Sequence, residues 1–242
     1  MSDRQRQRVQ KYRIGLIGGM SWRSTALYYE RLNRAVEREC GPHHSFAGQV
    51  WNLNYADILA MASAEDWGGI ANTLTEAGRG LSRSGCEMVA LTAVTAHNWY
   101  DAVCAASGGR VPHVLAGTAR QLDRSSFRNV GVLGTQVTCN SAFVQDYLGG
   151  SNRDLVFLDP DAQAGIDRLI QTILTASDDR MASAAILLHA IASLVSHGAE
   201  AVVLACTELP LLLPLQETTI PLIDSVALHV DDICSQILSE TP

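Results

Sequence analysis

Apolar positions in this chain come in short blocks separated by stretches of helical period, and the blocks recur in one order. Residues 12–17 form the first apolar run, Gly18-Gly19-Met20-Ser21 turns out of it, and Trp22, Leu27, Tyr28, Leu32 and Val36 follow at helical spacing. Strand, glycine turn and helix are the opening of a βαβ unit. Further strands are predicted at 49–53, 89–91 and 114–115, with a helix over 67–84 that ends at Gly85 and a short helix over 97–106.

The pattern restarts near residue 128. Arg128-Asn-Val-Gly-Val-Leu-Gly134-Thr135 echoes Tyr12-Arg-Ile-Gly-Leu-Ile-Gly18-Gly19, and a helix is predicted over 138–148. A strand at 154–158, helices over 165–175 and 181–196, and a strand at 201–205 follow; the second helix is closed by His197-Gly198. A helix or turn over 211–214, a strand at 220–223 and a helix over 224–238 complete the chain. Strand and helix alternating twice over predict an α/β fold of two pseudosymmetric, doubly wound parallel-sheet domains with the active site in the cleft between them. Residues 12–117 with a returning segment 224–242 are expected to form the first domain and 118–223 the second, after a flexible leader, 1–11.

Two passages place polar residues directly after a buried-strand run. One is Ala201-Val-Val-Leu-Ala-Cys206-Thr-Glu-Leu-Pro210, and the other is Cys86-Glu-Met-Val-Ala-Leu-Thr92-Ala93-Val-Thr95-Ala-His97. Ligands of open α/β sheets bind at the carboxyl ends of strands, so both loops are expected to face a pocket. The copies differ where it matters chemically: Ala93 occupies the position that matches Cys206.

Composition narrows the function classes. In 242 residues, 47% are hydrophobic and 18% charged, as in a compact enzyme, and a net charge of −7 disfavours nucleic acid as a partner. The basic cluster Arg4, Arg6, Arg8, Lys11 and Arg13 reads as a frayed leader rather than a targeting peptide. No apolar run of about eighteen residues occurs, so no membrane association and a cytoplasmic location are expected. The six cysteines, at 40, 86, 104, 139, 206 and 234, lack the pairing of a zinc site or the density of a secreted scaffold. No metal is expected. Gly18-Gly19 lacks the third glycine and the acidic residue of a dinucleotide fingerprint, so no cofactor is expected either.

The motifs Gly15-Leu-Ile-Gly-Gly-Met-Ser-Trp22, Val89-Ala-Leu-Thr-Ala-Val-Thr-Ala-His97, Gly131-Val-Leu-Gly-Thr135 and Leu204-Ala-Cys-Thr-Glu-Leu-Pro210 are joined by Pro221-Leu-Ile-Asp-Ser225 and His229. In order and spacing they resemble the aspartate/glutamate racemase superfamily, the amino-acid racemases that work without pyridoxal phosphate, whose relatives include hydantoin racemase and arylmalonate decarboxylase. The resemblance implies one acid/base residue from each domain on opposite faces of a small amino acid or related carboxylic acid, and a homodimer. Cys206 takes the second-domain role, with Thr207 and Glu208 beside it. Met20, Ser21, Thr95, Thr135 and Thr138 match substrate-binding positions.

The departures from the family pattern are informative. Ala93 has no proton to give, Val94 replaces the usual asparagine, and Gly165 stands where members specific for dicarboxylates place a lysine. A second substrate carboxylate would lose its counter-ion, so a plain dicarboxylate is not expected, and Trp22, Trp51 and Val94 are candidates to line the pocket. His97 either supplies the missing acid or caps the helix it begins. Glu208 either holds Cys206 or caps the next turn. Cys139, Asp224 and His229 have structural readings as a half-buried thiol, a loop-end acceptor and a packed ring. Three functions stay open: a racemase or epimerase whose other face is served by His97, Thr92 or water, a single-thiol decarboxylase or isomerase, and a binding protein or variant inactivated at position 93.

Overall fold

The computed structural model describes residues 8–150, 153–175, 180–212, 218 and 220–240. They divide into two compact units, one running to His113 and taking up the chain again from Val230, the other spanning Val114–His229.

The first unit opens with β1 (Arg8–Gln10), which pairs antiparallel with β9 (Leu238–Glu240) near the end of the chain. The expected leader is therefore a strand over its last described residues, because the main chain of 8–10 finds a hydrogen-bonding edge there; residues 1–7 lie outside the described residues. β2 (Ile14–Gly18) follows, then α1 (Trp22–Cys40), β3 (Gly48–Asn52), α2 (Tyr55–Ser63), α3 (Trp67–Arg83), β4 (Met88–Leu91), a 3-10 turn over Thr95–Trp99 and α4 (Tyr100–Ser107). The parallel sheet has the order β3-β2-β4. Ile17 of β2 and Val89 and Leu91 of β4 pack with Ile70, Leu74 and Leu81 of α3 and Val103 of α4. Ile14 and Leu16 alternate to the other face and are equally buried, and α1, packed on β2, buries Tyr28, Leu32 and Val36.

The second unit contains α5 (Ala116–Asp123), β5 (Asn129–Leu133), α6 (Gln136–Cys139), α7 (Ala142–Leu148), β6 (Asp154–Val156), α8 (Pro160–Thr175), α9 (Arg180–Ser196), β7 (Ala201–Leu204), a 3-10 turn over Leu209–Leu211 and β8 (Leu222–Asp224). α10 (Ser225–Ile237) begins in this unit and ends in the first. The sheet is parallel throughout, in the order β6-β5-β7-β8. Its core joins Leu133, Val202 and Leu204 to Ile166 and Ile170 of α8 and Leu187 and Leu194 of α9.

The two units repeat one another residue by residue. β2 pairs with β4 as Gly15 with Val89 and Ile17 with Leu91; β5 pairs with β7 as Gly131 with Val202 and Leu133 with Leu204. A Cβ on Gly15 would lie 2.8 Å from Leu81 of α3, and one on Gly131 would lie 2.9 Å from Leu194 of α9. Both helices end in the same loop: the Cys86 amide donates to the Leu81 carbonyl and the Ala199 amide to the Leu194 carbonyl, each at 3.0 Å. Glu87 and Glu200 follow, and their carboxylates accept from the amides of Arg13 and Asn129 at 3.1 and 3.0 Å at the entry to the central strand. Bonds from the amides of Asn129 and Arg128 hold the Glu200 carboxyl below its usual range.

Two predicted elements differ. No strand forms at 114–115, since Val114 and Leu115 are buried in the lead into α5, whose Leu122 continues their apolar stripe. The helix predicted over 138–148 is two, α6 and α7, because extended Ser141 separates them and its Oγ donates to the Val137 carbonyl at 2.6 Å. α2 and α5 are additions to the predicted elements. Of the helix or turn expected over 211–214, residues 213 and 214 lie outside the described residues.

The close approach at the paired glycines is testable. Gly131→Ala should destabilise the protein by about 1–3 kcal/mol through displacement of Leu194, and Gly15→Ala should do the same through Leu81, measured as a lowered urea midpoint with unchanged slope.

Candidate active site

The candidate residues stand on two loop clusters, one at the carboxyl edge of each parallel sheet. In the first unit, β2 ends in Gly18-Gly19-Met20-Ser21. Gly19 has φ +92°, and a Cβ there would lie 2.0 Å from the Leu53 carbonyl oxygen, so the turn needs glycine. Half-buried Met20 packs on the core, and Ser21 caps α1, its side chain accepting from the Ser24 amide at 3.4 Å. Thr25, one turn into α1, accepts from the Gly19 amide at 2.8 Å and donates to the Ser21 carbonyl at 3.0 Å. Its Oγ1 lies 3.2 Å from Thr92 Oγ1, and Ser24 Oγ donates to the Thr92 carbonyl. Ser24, Thr25 and Thr92 thus lock the β2 turn to the end of β4; the sequence hinted at this only through two hydroxyls on the first turn of α1.

Past β4, the Thr92 amide and Oγ1 both bond the Ile17 carbonyl, at 3.0 and 3.2 Å. Ala93 and Val94 come next, 9% and 4% exposed, and Thr95 starts the 3-10 turn half-buried. His97 lies inside that turn at 2% exposure, with Nδ1 3.2 Å from the carbonyls of both Ala93 and Val94. The backbone of Pro112 is a further partner, and the ring meets His113 edge-on at 4.8 Å between centroids. Burial lowers the His97 pKa to about 4, overriding the opposing pull of the carbonyls. The ring is a neutral strut of the turn at neutral pH. Trp22 is 61% exposed, with the Arg23 guanidinium 4.6 Å from its ring centroid. The Trp51 ring lies over Gly80, where a Cβ would come within 2.2 Å, so it belongs to the flank of α3 rather than to the strand-end turns.

In the second unit, β5 ends in Gly134-Thr135. Thr135 caps α6: its Oγ1 accepts from the Thr138 amide at 3.2 Å and donates to Thr138 Oγ1 at 3.0 Å. Gln163 of α8 donates to the Gly134 carbonyl at 3.0 Å, and Asp167 accepts from the Gln136 amide at 2.9 Å; neither is named by any motif. Cys139 faces the backbone of Gly134, and burial pushes its thiol up to about 12.

Past β7, the Ala205 amide donates to the Leu133 carbonyl at 2.6 Å, the counterpart of the Thr92 bond. Cys206 follows at 6% exposure, its Sγ donating to Glu208 Oε2 at 3.2 Å. Thr207 Oγ1 donates to the same oxygen, and Thr207 and Glu208 are each 4% exposed. Burial, then the Glu208 carboxylate, raise the Cys206 thiol well above its ordinary range, against the pull of the Glu208 and Leu209 amides. The loop is braced by Ser225, whose Oγ donates to the Leu204 carbonyl at 2.7 Å, and by Asp224, which caps α10 by accepting from the Val226 and Ala227 amides at 2.9 and 3.0 Å. His229 is fully buried in α10.

A thiol hydrogen-bonded to a carboxylate in a water-poor loop can hold a proton and pass it on. Among the described residues, no group of three or more His, Cys, Asp or Glu could hold a metal ion, and no helix is long and apolar enough to cross a membrane.

The profile of the Asp/Glu/hydantoin racemase family matches residues 17–233. This chain belongs to that family. It is 23% identical, over 88% of its length and 93% of the other protein, to the broad-specificity amino-acid racemase RacX of Bacillus subtilis. Its fold superposes with a TM-score of 0.82 on a candidate Asp/Glu racemase from Yersinia pestis, at 26% identity over 94% of this chain and 99% of that one. An aspartate racemase homologue from Pyrococcus horikoshii gives a TM-score of 0.78 at 23% identity, over 94% and 99% of the two chains. The protein is accordingly an isomerase of the racemase type, and none of these relatives is a decarboxylase.

Within this racemase, the buried neutral His97 has a consequence for stability. An unfolded chain protonates the imidazole near pH 6.5, whereas the folded protein does so only near pH 4. Its contribution is whole above pH 6.5 and is lost as pH falls toward 4, by roughly 3 kcal/mol at the lower end. Urea unfolding at pH 7.5 and 4.5 should show this loss in the wild type and a shallower dependence in His97→Gln.

Proposed function

We propose that this chain is a cofactor-independent amino-acid racemase or epimerase in which Cys206 is the acid/base at the substrate α-carbon. The observation that carries the reading is the 3.2 Å hydrogen bond from the Cys206 thiol to the Glu208 carboxylate, in the loop directly after β7. An α-proton beside a carboxylate is very weakly acidic, so the base that removes it must be strong and dry. The surroundings of Cys206 meet that need: the same burial and negative charge that raise the thiol also make its thiolate a strong base. Glu208 Oε2, already on the sulfur's proton, is the acceptor through which that proton leaves as the thiolate forms. Thr207, on the same oxygen, fixes the carboxylate in line.

The remaining roles follow from position. Thr135 and Thr138, at the end of β5 in the same unit as Cys206, supply hydroxyl donors for the substrate carboxylate and the enolate-like charge that develops on it. Gly165 of α8, where an added Cβ would meet open space, matches the position at which dicarboxylate-specific members of the family place a lysine, which favours a substrate other than a plain dicarboxylate. His97, tied to backbone carbonyls, acts by holding the Ala93-Val94-Thr95 turn in place.

The test is wash-in of deuterium at the α-carbon of L- and D-alanine, leucine, phenylalanine, lysine and aspartate, followed by proton NMR. Exchange is expected with at least one of the uncharged or basic amino acids and is expected to be weakest with aspartate. Cys206→Ala should lower the rate by about 10²–10⁴-fold, with Glu208→Gln intermediate. Unchanged turnover in Cys206→Ala would discard the assignment.

A further inference from the structure

Within the second unit, one helix grips the turn that Thr135 begins, through two side chains outside every motif. α8 is fixed in the core by Ile166 and Ile170, and Gln163 and Asp167 stand one helical turn apart on the side that meets α6. Gln163, 6% exposed, donates from Nε2 to the Gly134 carbonyl at 3.0 Å, and Asp167 Oδ1 accepts from the Gln136 amide at 2.9 Å. The two bonds take hold of the main chain on either side of Thr135. Thr135 directs its hydroxyl onto Thr138, accepting from that residue's amide at 3.2 Å and donating to its Oγ1 at 3.0 Å. The orientation of the hydroxyl pair is thus set by a helix that carries neither hydroxyl.

The same turn lies against the loop of Cys206. A Cβ on Gly134 would come within 2.8 Å of the Ala205 carbonyl oxygen, so the two main chains approach closely there, and the Ala205 amide donates to the Leu133 carbonyl at 2.6 Å. Ala205 is joined directly to Cys206. A shift at the Gly134 carbonyl therefore moves the hydroxyl pair relative to the sulfur. A substrate held by its carboxylate and deprotonated at the adjoining carbon tolerates little of that movement.

Resting on the reading of Cys206 as the acid/base and of Thr135 and Thr138 as the holders of the substrate carboxylate, we propose that Gln163 and Asp167 are positioning residues for the reaction. Through the main chain of Gly134 and Gln136 they set the place of the hydroxyl pair relative to the Cys206 sulfur. Gln163 works as a donor to a carbonyl and needs its N–H, whereas Asp167 works as an acceptor from an amide and needs only an oxygen.

A double-mutant cycle separates positioning from general support of the fold. kcat and KM are measured by deuterium wash-in at the α-carbon, with the amino acid that the wild type exchanges fastest among alanine, leucine, phenylalanine, lysine and aspartate. Gln163→Leu and Thr135→Val should each lower kcat/KM by about 10–10²-fold. The double variant should be no more than about threefold worse than Thr135→Val alone, because Gln163 works through the turn that this substitution has already disabled. Asp167→Ala should lose about tenfold, and Asp167→Asn, which keeps an oxygen for the Gln136 amide, should recover most of that loss. In Gln163→Glu the introduced carboxyl can donate to the Gly134 carbonyl only while protonated, so kcat/KM relative to wild type should fall as pH rises. If urea unfolding shows that Gln163→Leu does not fold, the Asp167 variants and the pH profile of Gln163→Glu decide the question. Losses that multiply in the double variant, a Thr135→Val enzyme without loss, or Asp167→Asn as impaired as Asp167→Ala would overturn the positioning role and leave Cys206 as the acid/base. No exchange of any of the five amino acids by the wild type would overturn the reading of Cys206 and this role with it.

Discussion

The parallel pairing of a central strand with its neighbour, stopped at the same residue in both units, is the constraint on which the rest depends. Main-chain bonds leave no freedom here: once Gly15 faces Val89 and Gly131 faces Val202, the positions of residues 93 and 206 relative to their sheets follow. The glycines are part of the same constraint, since a helix can press a leucine onto the strand only where no Cβ intervenes. Chemistry is then decided by which side chain occupies a place that the backbone has already prepared.

Around those places the protein spends polar groups on rigidity. In the first unit, hydroxyls of Ser24, Thr25 and Thr92 bind a glycine turn to a strand end, and an imidazole is held in the next turn by carbonyls. In the second, Thr135, Gln163 and Ser225 brace the loops, while Thr207 and Cys206 converge on one carboxylate oxygen. The difference has a physical meaning. The first cluster satisfies its donors internally and presents a methyl, whereas the second retains a thiol with a charged acceptor in a buried loop, the combination that raises proton affinity. The two copies thus differ at one matched position, alanine in the first and cysteine in the second.

Much of this was legible in the residues. Parallel strands buried on both faces read as continuous apolar runs, and β2 and β7 appear within a residue or two of their predicted limits. Less legible were features that depend on partners distant in sequence. β1 exists because the chain's far end supplies an edge, and α5 forms where an isolated Val-Leu pair looked like a strand. Gln163, Asp167 and Ser225 carry no motif of their own, because their meaning lies in the main-chain atoms they reach.

By itself the order of residues determined the α/β class, the internal duplication, the family, and the substitution of alanine for the thiol in one copy, since all of these are written in local pattern and spacing. Tertiary structure decided how each side chain is used. It turned His97 from an open candidate for proton transfer into a neutral strut, laid Trp51 against a helix, and set the Cys206 thiol on Glu208. Proton affinity and hydrogen-bond commitment depend on burial and on neighbours within a few ångströms, and only the folded chain brings those neighbours together.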